Sequence, residues 1–159
     1  MNRRRLGTWF ALVLLAAGVL LPRFNVAEAA AAPTGARYKV IDVNLRTQRL
    51  VAYERGRVVY RALVSTGKNG FETRVGTFHV YYKLKDRTMR GCMKGQCWVV
   101  PHVPNVLYFD EGRALHGTYW HNLFGTGRRL SHGCVNLSLK DAAWLYNWAP
   151  VGTKVVIHR

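Results

Sequence analysis

The residues of this chain most able to do chemistry are one cysteine and two histidines that precede it. Cys134 stands in Ser131-His132-Gly133-Cys134-Val135-Asn136, and His116-Gly117-Thr118 lies upstream of it. A thiol attacks a carbonyl as its thiolate, and a neighbouring imidazole can take the proton or stabilise the charge. Residues two apart on an extended segment point the same way, so His132 can sit beside Cys134 without acting as its base. His116 ends a strand-like run, and the loop from Tyr119 to Leu130 is long enough to bring it back to the same rim. Gly133 lets the backbone approach a substrate, with its amide and that of Cys134 available to a developing oxyanion. Gly117 leaves exposed a main-chain carbonyl that can hold an imidazole N–H in one tautomer. The segment 116–136 holds no Asp or Glu, so the orienting group is expected to be main chain.

Each residue alone has a blander reading. A lone cysteine is more often a small buried hydrophobe, and a lone histidine a surface residue. His116, His121, His132 and Cys134 are zinc-ligand types, but their spacing is not that of a tight zinc motif, so no metal or other cofactor is expected. The N-terminus changes the balance. Arg3, Arg4 and Arg5 precede an apolar run from Phe10 to Leu21, and Ala27-Glu28-Ala29 is a small-x-small cleavage site. This is the pattern of a secretory signal, so residues 1–29 are read as a signal peptide, cleaved or kept as an anchor. Export to a cell wall or periplasm is the expectation, with membrane contact only through that segment. Residues 30–36 read as a linker and 37–159 as one catalytic domain. In an oxidising compartment Cys92 and Cys97 either form a disulfide or stay as two thiols, and Cys134 is left odd.

The formal net charge is +16, and without Arg3, Arg4, Arg5, Arg23 and Glu28 the remainder still carries +13. Such a field favours polyanionic surroundings. The basic residues are scattered rather than gathered in one block, which disfavours nucleic acid as the partner. An acidic wall polymer fits better.

The elements around these residues read as mainly β. Strand-like alternation begins at Tyr38, and a second run spans Arg49 to Tyr53. Glu54 to Arg57 turns into a third run, Val58 to Val64. Gly76 to Tyr82, Trp98 to Val100, Val106 to Phe109, Arg113 to His116 and Lys154 to His158 also read as strands. Lys83 to Gly95 reads as a long polar excursion. Ser138 can cap the one convincing helix, with Asp141 completing a capping box, Ala142, Leu145, Tyr146 and Ala149 at helical spacing, and Pro150 with Gly152 ending it. The predicted architecture is two packed β-sheets with one C-terminal helix.

The segment from His116 to Asn136 resembles the signature of the L,D-transpeptidase (YkuD-like) family: a His, a spacer, then Ser/Thr-His-Gly-Cys-hydrophobic-Asn/Arg. Ile41 to Ala52, Val64-Ser65-Thr66-Gly67, Thr73 to Phe78, Val106 to Trp120 and the Ser138 to Trp148 helix are similar to further family segments. The resemblance implies acyl transfer on peptidoglycan tetrapeptide stems. It makes Cys134 the nucleophile and His116 the base, held by the Gly117 carbonyl. Ser131, His132 and Asn136 would shape the substrate pocket, with the Gly133 and Cys134 amides as oxyanion donors. D-Alanine would leave, and a neighbouring stem's amine would give a 3→3 crosslink; water instead would make an L,D-carboxypeptidase. It also implies acylation by carbapenems. Arg74 stands where the family usually has Pro, and the Cys92–Cys97 segment has no evident counterpart. Two rivals remain: a sortase-like thiol acyl-transferase, disfavoured because no Arg closely follows Cys134, and a non-catalytic wall-binding domain, which would have no use for the His–Cys pair.

Overall fold

The computed structural model describes residues 35–159. The signal segment and residues 30–34 of the linker lie outside the described residues. After a short turn at Ala36–Tyr38 come β1 (Lys39–Asn44), β2 (Arg49–Glu54), β3 (Arg57–Ser65), β4 (Gly76–His79), β5 (Tyr82–Met93) and β6 (Gln96–Asp110). These are followed by β7 (Arg113–Gly117), β8 (Val135–Leu137), α1 (Leu139–Trp148) and β9 (Lys154–His158).

Alternation makes the strands. Ile41 and Val43, Leu50, Ala62 and Val64, Leu115, Val135 and Leu137, and Val155 and Ile157 all point into one core, where Ala142, Leu145 and Ala149 of α1 meet them. A period of two is what a sheet needs to bury one face. The nine strands form a single sheet in the order β4-β9-β1-β2-β3-β8-β7-β6-β5. It curls until its two ends touch: Phe78 meets Phe109 with ring centroids 5.5 Å apart, and Tyr81 N–H donates to the Tyr108 carbonyl at 2.9 Å. The two layers anticipated from the sequence are thus two arms of one continuous sheet, joined where β3 pairs with β2 on one edge and with β8 on the other.

The segment read as an excursion differs most. Lys83 to Gly95 belongs to β5, which pairs with β6 from Tyr82↔Tyr108 to Met93↔Gln96. The far half of this hairpin buries little on either face, so no alternation marks it. Pro101, which cannot donate to a ladder, falls with His102 where the register shifts between Arg87 and Met89; β6 therefore runs on through what read as a break. Cys92 and Cys97 face each other at the hairpin tip and are joined as a disulfide. The three-residue strand β8 was not anticipated, being too short to show a period.

The cap of α1 is as expected. Asp141 N–H donates to Ser138 Oγ at 3.1 Å, and that hydroxyl donates to Asp141 Oδ2 at 2.7 Å. Ser138→Ala should lower the unfolding free energy by about 1 kcal/mol, measured by urea titration, with the helix start otherwise unchanged.

Candidate active site

The site follows from the pairing of β7 with β8. They run parallel in the register Leu115↔Val135, His116↔Asn136 and Gly117↔Leu137. Leu115 and Val135 enter the core, so the alternate residues Ala114, His116, Cys134 and Asn136 share the opposite face. That face is the floor of a cleft of about 530 Å³, walled by Arg87, Arg90 and Trp98 of the β5–β6 hairpin, by Arg113, and by Trp120. His116 and Cys134, 18 residues apart in sequence, thereby line one cavity.

His116 is 3% exposed, and its Nδ1 lies 3.0 Å from the Gly117 carbonyl oxygen. A carbonyl can only accept, so Nδ1 carries the proton and Nε2 is bare. Gly117 is held closely in turn: a Cβ there would come within 2.9 Å of Pro104 Cγ and 3.3 Å of Leu139 Cδ2. Burial drives the His116 pKa down to about 4, with the Gly117 bond opposing and His121 adding slightly to the fall. The Cys134 thiol packs against the cluster of Val103, Val106 and Ala114. Burial pushes its pKa up, against the Ala114 main chain and the Arg113 charge, which favour the thiolate. At neutral pH the resting pair is therefore a neutral thiol and a neutral imidazole.

The cysteine turn is braced from the β3 side. Ser131 Oγ donates to the Cys134 carbonyl at 2.6 Å and accepts the Gly133 N–H at 3.1 Å. Thr73 Oγ1 donates to the Gly133 carbonyl and accepts the Gly67 N–H, both at 3.0 Å. Lys68 N–H donates to the Ser131 carbonyl at 2.9 Å. Buried Gln48 fixes Thr66 through two bonds of 2.8 and 2.9 Å. Gly133 has φ +114°, which favours glycine.

The structure sorts the residues singled out in the sequence. His132 stacks on Trp98 with centroids 4.0 Å apart and meets Phe71 edge-on, so it is a wall of the cleft and ties the hairpin to the turn. Ser131 uses its hydroxyl inside the turn, and the Gly133 amide expected at the oxyanion is engaged with it. The Asn136 amide nitrogen lies 3.0 Å from His121 Nε2, and its Oδ1 is buried without a hydrogen-bond partner. Arg113, Trp98 and Trp120 were not anticipated. Arg113 is the first residue of the strand that carries His116, and strand position was the only available signal.

Residues 38–157 match the family model for the L,D-transpeptidase catalytic domain (YkuD). The chain belongs to that family. Over 63 residues it is 43% identical to the Escherichia coli protein "Probable L,D-transpeptidase YbiS", covering 36% of this chain and 20% of that one. Over 144 residues it is 27% identical to "Putative L,D-transpeptidase YciB" of Bacillus subtilis, covering 74% of this chain and 64% of the relative. The fold is that of a solved L,D-transpeptidase from Mycobacterium smegmatis, with TM-score 0.71 and 24% identity, over 77% of this chain and 59% of that one. In each case the match spans less than two thirds of the relative's length.

The buried imidazole links protonation to stability. An unfolded His titrates near 6.5 and His116 at about 4, so between those values the unfolded chain binds the extra proton. Stability present above pH 6.5 is lost as pH falls towards 4, by up to about 3 kcal/mol. Urea titrations at pH 7 and 4.5 should show that loss, and His116→Gln should flatten it.

Proposed function

We propose that this chain is an exported peptidoglycan L,D-transpeptidase that forms 3→3 crosslinks through an acyl-enzyme on Cys134. The carrying observation is that one register turns His116 and Cys134 into one cleft, with the ring proton held on Nδ1 by Gly117 and Nε2 left bare. Membership of the L,D-transpeptidase family supports tetrapeptide stems as the substrate. The leader-like N-terminus and the basic remainder of the chain support a location at the wall.

In the first half-reaction Sγ attacks the carbonyl between the stem's third residue and its terminal D-alanine. The thiol proton passes to His116 Nε2 as the S–C bond forms and the carbonyl π pair moves to oxygen. The tetrahedral intermediate then collapses, the C–N bond breaks, and His116 returns the proton to the departing D-alanine amine. In the second half the side-chain amine of another stem attacks the thioester and gives a proton to His116; as the C–S bond breaks, the Cys134 thiolate leaves and takes that proton back from His116. Water in the same place would release a tripeptide. For the Gly133 amide to serve the oxyanion, it must exchange the Ser131 hydroxyl for substrate oxygen.

A disaccharide-tetrapeptide incubated with the protein should yield free D-alanine and a crosslinked dimer, resolved by liquid chromatography and mass spectrometry. Cys134→Ala should reduce both to background, and full activity in a folded variant would overturn the assignment. Tripeptide without dimer would make the protein a carboxypeptidase. A carbapenem adduct should map to the peptide containing Cys134.

The neutral resting pair also sets a pH profile. His116 can accept a proton only while neutral, and it stays so down to about pH 4. The acylation rate constant should therefore show no histidine inflection near 6.5 and fall only as the pH approaches 4, read by stopped-flow with a chromogenic β-lactam.

A further inference from the structure

Arg113 opens β7, and its side chain lies across the cysteine turn. A Cβ on Gly133 would come within 3.0 Å of Arg113 Nε and 3.3 Å of its Cδ, so the absence of a side chain at Gly133 makes room for this arginine. The guanidinium is anchored at one end only. Nη1 donates to Asp110 Oδ2 at 2.9 Å, and Asp110, 5% exposed, receives Arg74 Nη1 on its other oxygen at 3.1 Å. Arg74 also reaches exposed Glu111 at 3.0 Å. The buried carboxylate is thus shared by two cations, and the second anion of the cluster, Glu111, is exposed and sits closer to Arg74 than to Arg113. The Arg113 Nε–H is buried with no hydrogen-bond partner. A buried donor without an acceptor is destabilising by roughly 1–3 kcal/mol, and such a group calls for an explanation. Arg113 lines the cavity that holds His116 and Cys134, and its Nε is packed beneath the turn at Gly133, whose amide is already engaged.

We propose that Arg113 is the cationic partner of the Cys134 turn, meeting through its free Nε–H edge the negative charge that forms there as the thiol attacks. This deepens the functional reading above and rests on Cys134 as nucleophile. The charge passes from sulfur to the carbonyl oxygen while the thiol proton goes to His116; Arg113 gives up no proton and acts only by charge and donor geometry. Arg74 and Asp110 fix the guanidinium in place. The other ionisable groups lining the cavity, besides His116 and Cys134, are Arg87, Arg90, Tyr108, Glu111 and His132, and burial pushes the Tyr108 phenol up. Glu111 is 3.9 Å from Arg113 Nη1 and 70% exposed, so solvent screens its opposition.

The test is alkylation of Cys134 by iodoacetamide across pH, followed by peptide mass mapping, in the wild type and in Arg113→Gln and Arg113→Lys. The midpoint should move up by about one pH unit or more in Arg113→Gln, and Arg113→Lys should recover much of it. With tetrapeptide donor, Arg113→Gln should lower kcat roughly a hundredfold with KM little changed. An alkylation profile matching wild type in folded Arg113→Gln overturns the proposal. So does a raised KM at unchanged kcat, which would make Arg113 a substrate-carboxylate site instead. Should Arg113→Gln fail to fold because Asp110 has lost a partner, Arg113→Gln/Asp110→Asn removes both charges and must show the same upward shift. Alkylation needs no stem peptide, so its outcome stands apart from whether the protein is a transpeptidase.

Discussion

Everything at the site depends on the register between β7 and β8. The side-chain period of a strand is two, so a slip by one residue would send His116 and Cys134 into the core and turn Leu115 and Val135 out to the cleft. A strand of three residues is a weak holder of register on its own. It is held from both edges, by Val64↔Leu137 and Ser65↔Asn136 on β3 and by the β7 pairing, while Thr118 N–H donates to the Leu137 carbonyl at 2.9 Å. Val135 and Leu137 are fully buried, and exposing either would forfeit about 1.5–3 kcal/mol. The capped start of α1 directly after β8 fixes where the strand must stop.

The same burial that fixes the register decides the chemistry. A low-dielectric setting disfavours both an imidazolium and a thiolate, so burial favours the neutral forms of both side chains, and the Gly117 carbonyl holds the His116 ring proton on Nδ1. The turn that presents Cys134 has its polar groups satisfied by Ser131 and Thr73, while Gln48 holds the adjoining Thr66. The β5–β6 hairpin supplies the opposite wall, and the Trp98–His132 stack couples it to the turn. Lys94 Nζ to the Gly70 carbonyl and Lys68 Nζ to Gln96 Oε1 tie its disulfide-closed tip to the loop before β4.

Much of this was legible in the sequence. The β1 to β3 meander, β7, α1 with its Ser138 cap, and β9 follow period or capping chemistry, and the Gly117 carbonyl against His116 was anticipated from the glycine and from the lack of acids nearby. The far half of the β5–β6 hairpin was not legible, because its residues serve a cleft wall rather than a core. The use of the Gly133 amide by Ser131 is a tertiary hydrogen bond that spacing does not encode. Arg113 escaped notice because its local partner Asp110, across the β6–β7 turn, reads as a surface pair, and nothing in the sequence connects it to Gly133 and Arg74. Arg74, read as a departure at a position usually held by Pro, turns out to share the Asp110 carboxylate with Arg113.

The proposed chemistry requires a neutral His116 with its proton on Nδ1. Long-range ¹H–¹⁵N correlation spectra of the ¹⁵N-labelled protein, recorded from pH 8 to pH 4.5, read tautomer and charge directly. His116 should show a protonated Nδ1 and an unprotonated Nε2 from pH 8 through 6.5, with protonation of Nε2 setting in only as the pH nears 4. An imidazolium signal from His116 at pH 7, or a neutral ring carrying its proton on Nε2, would contradict it.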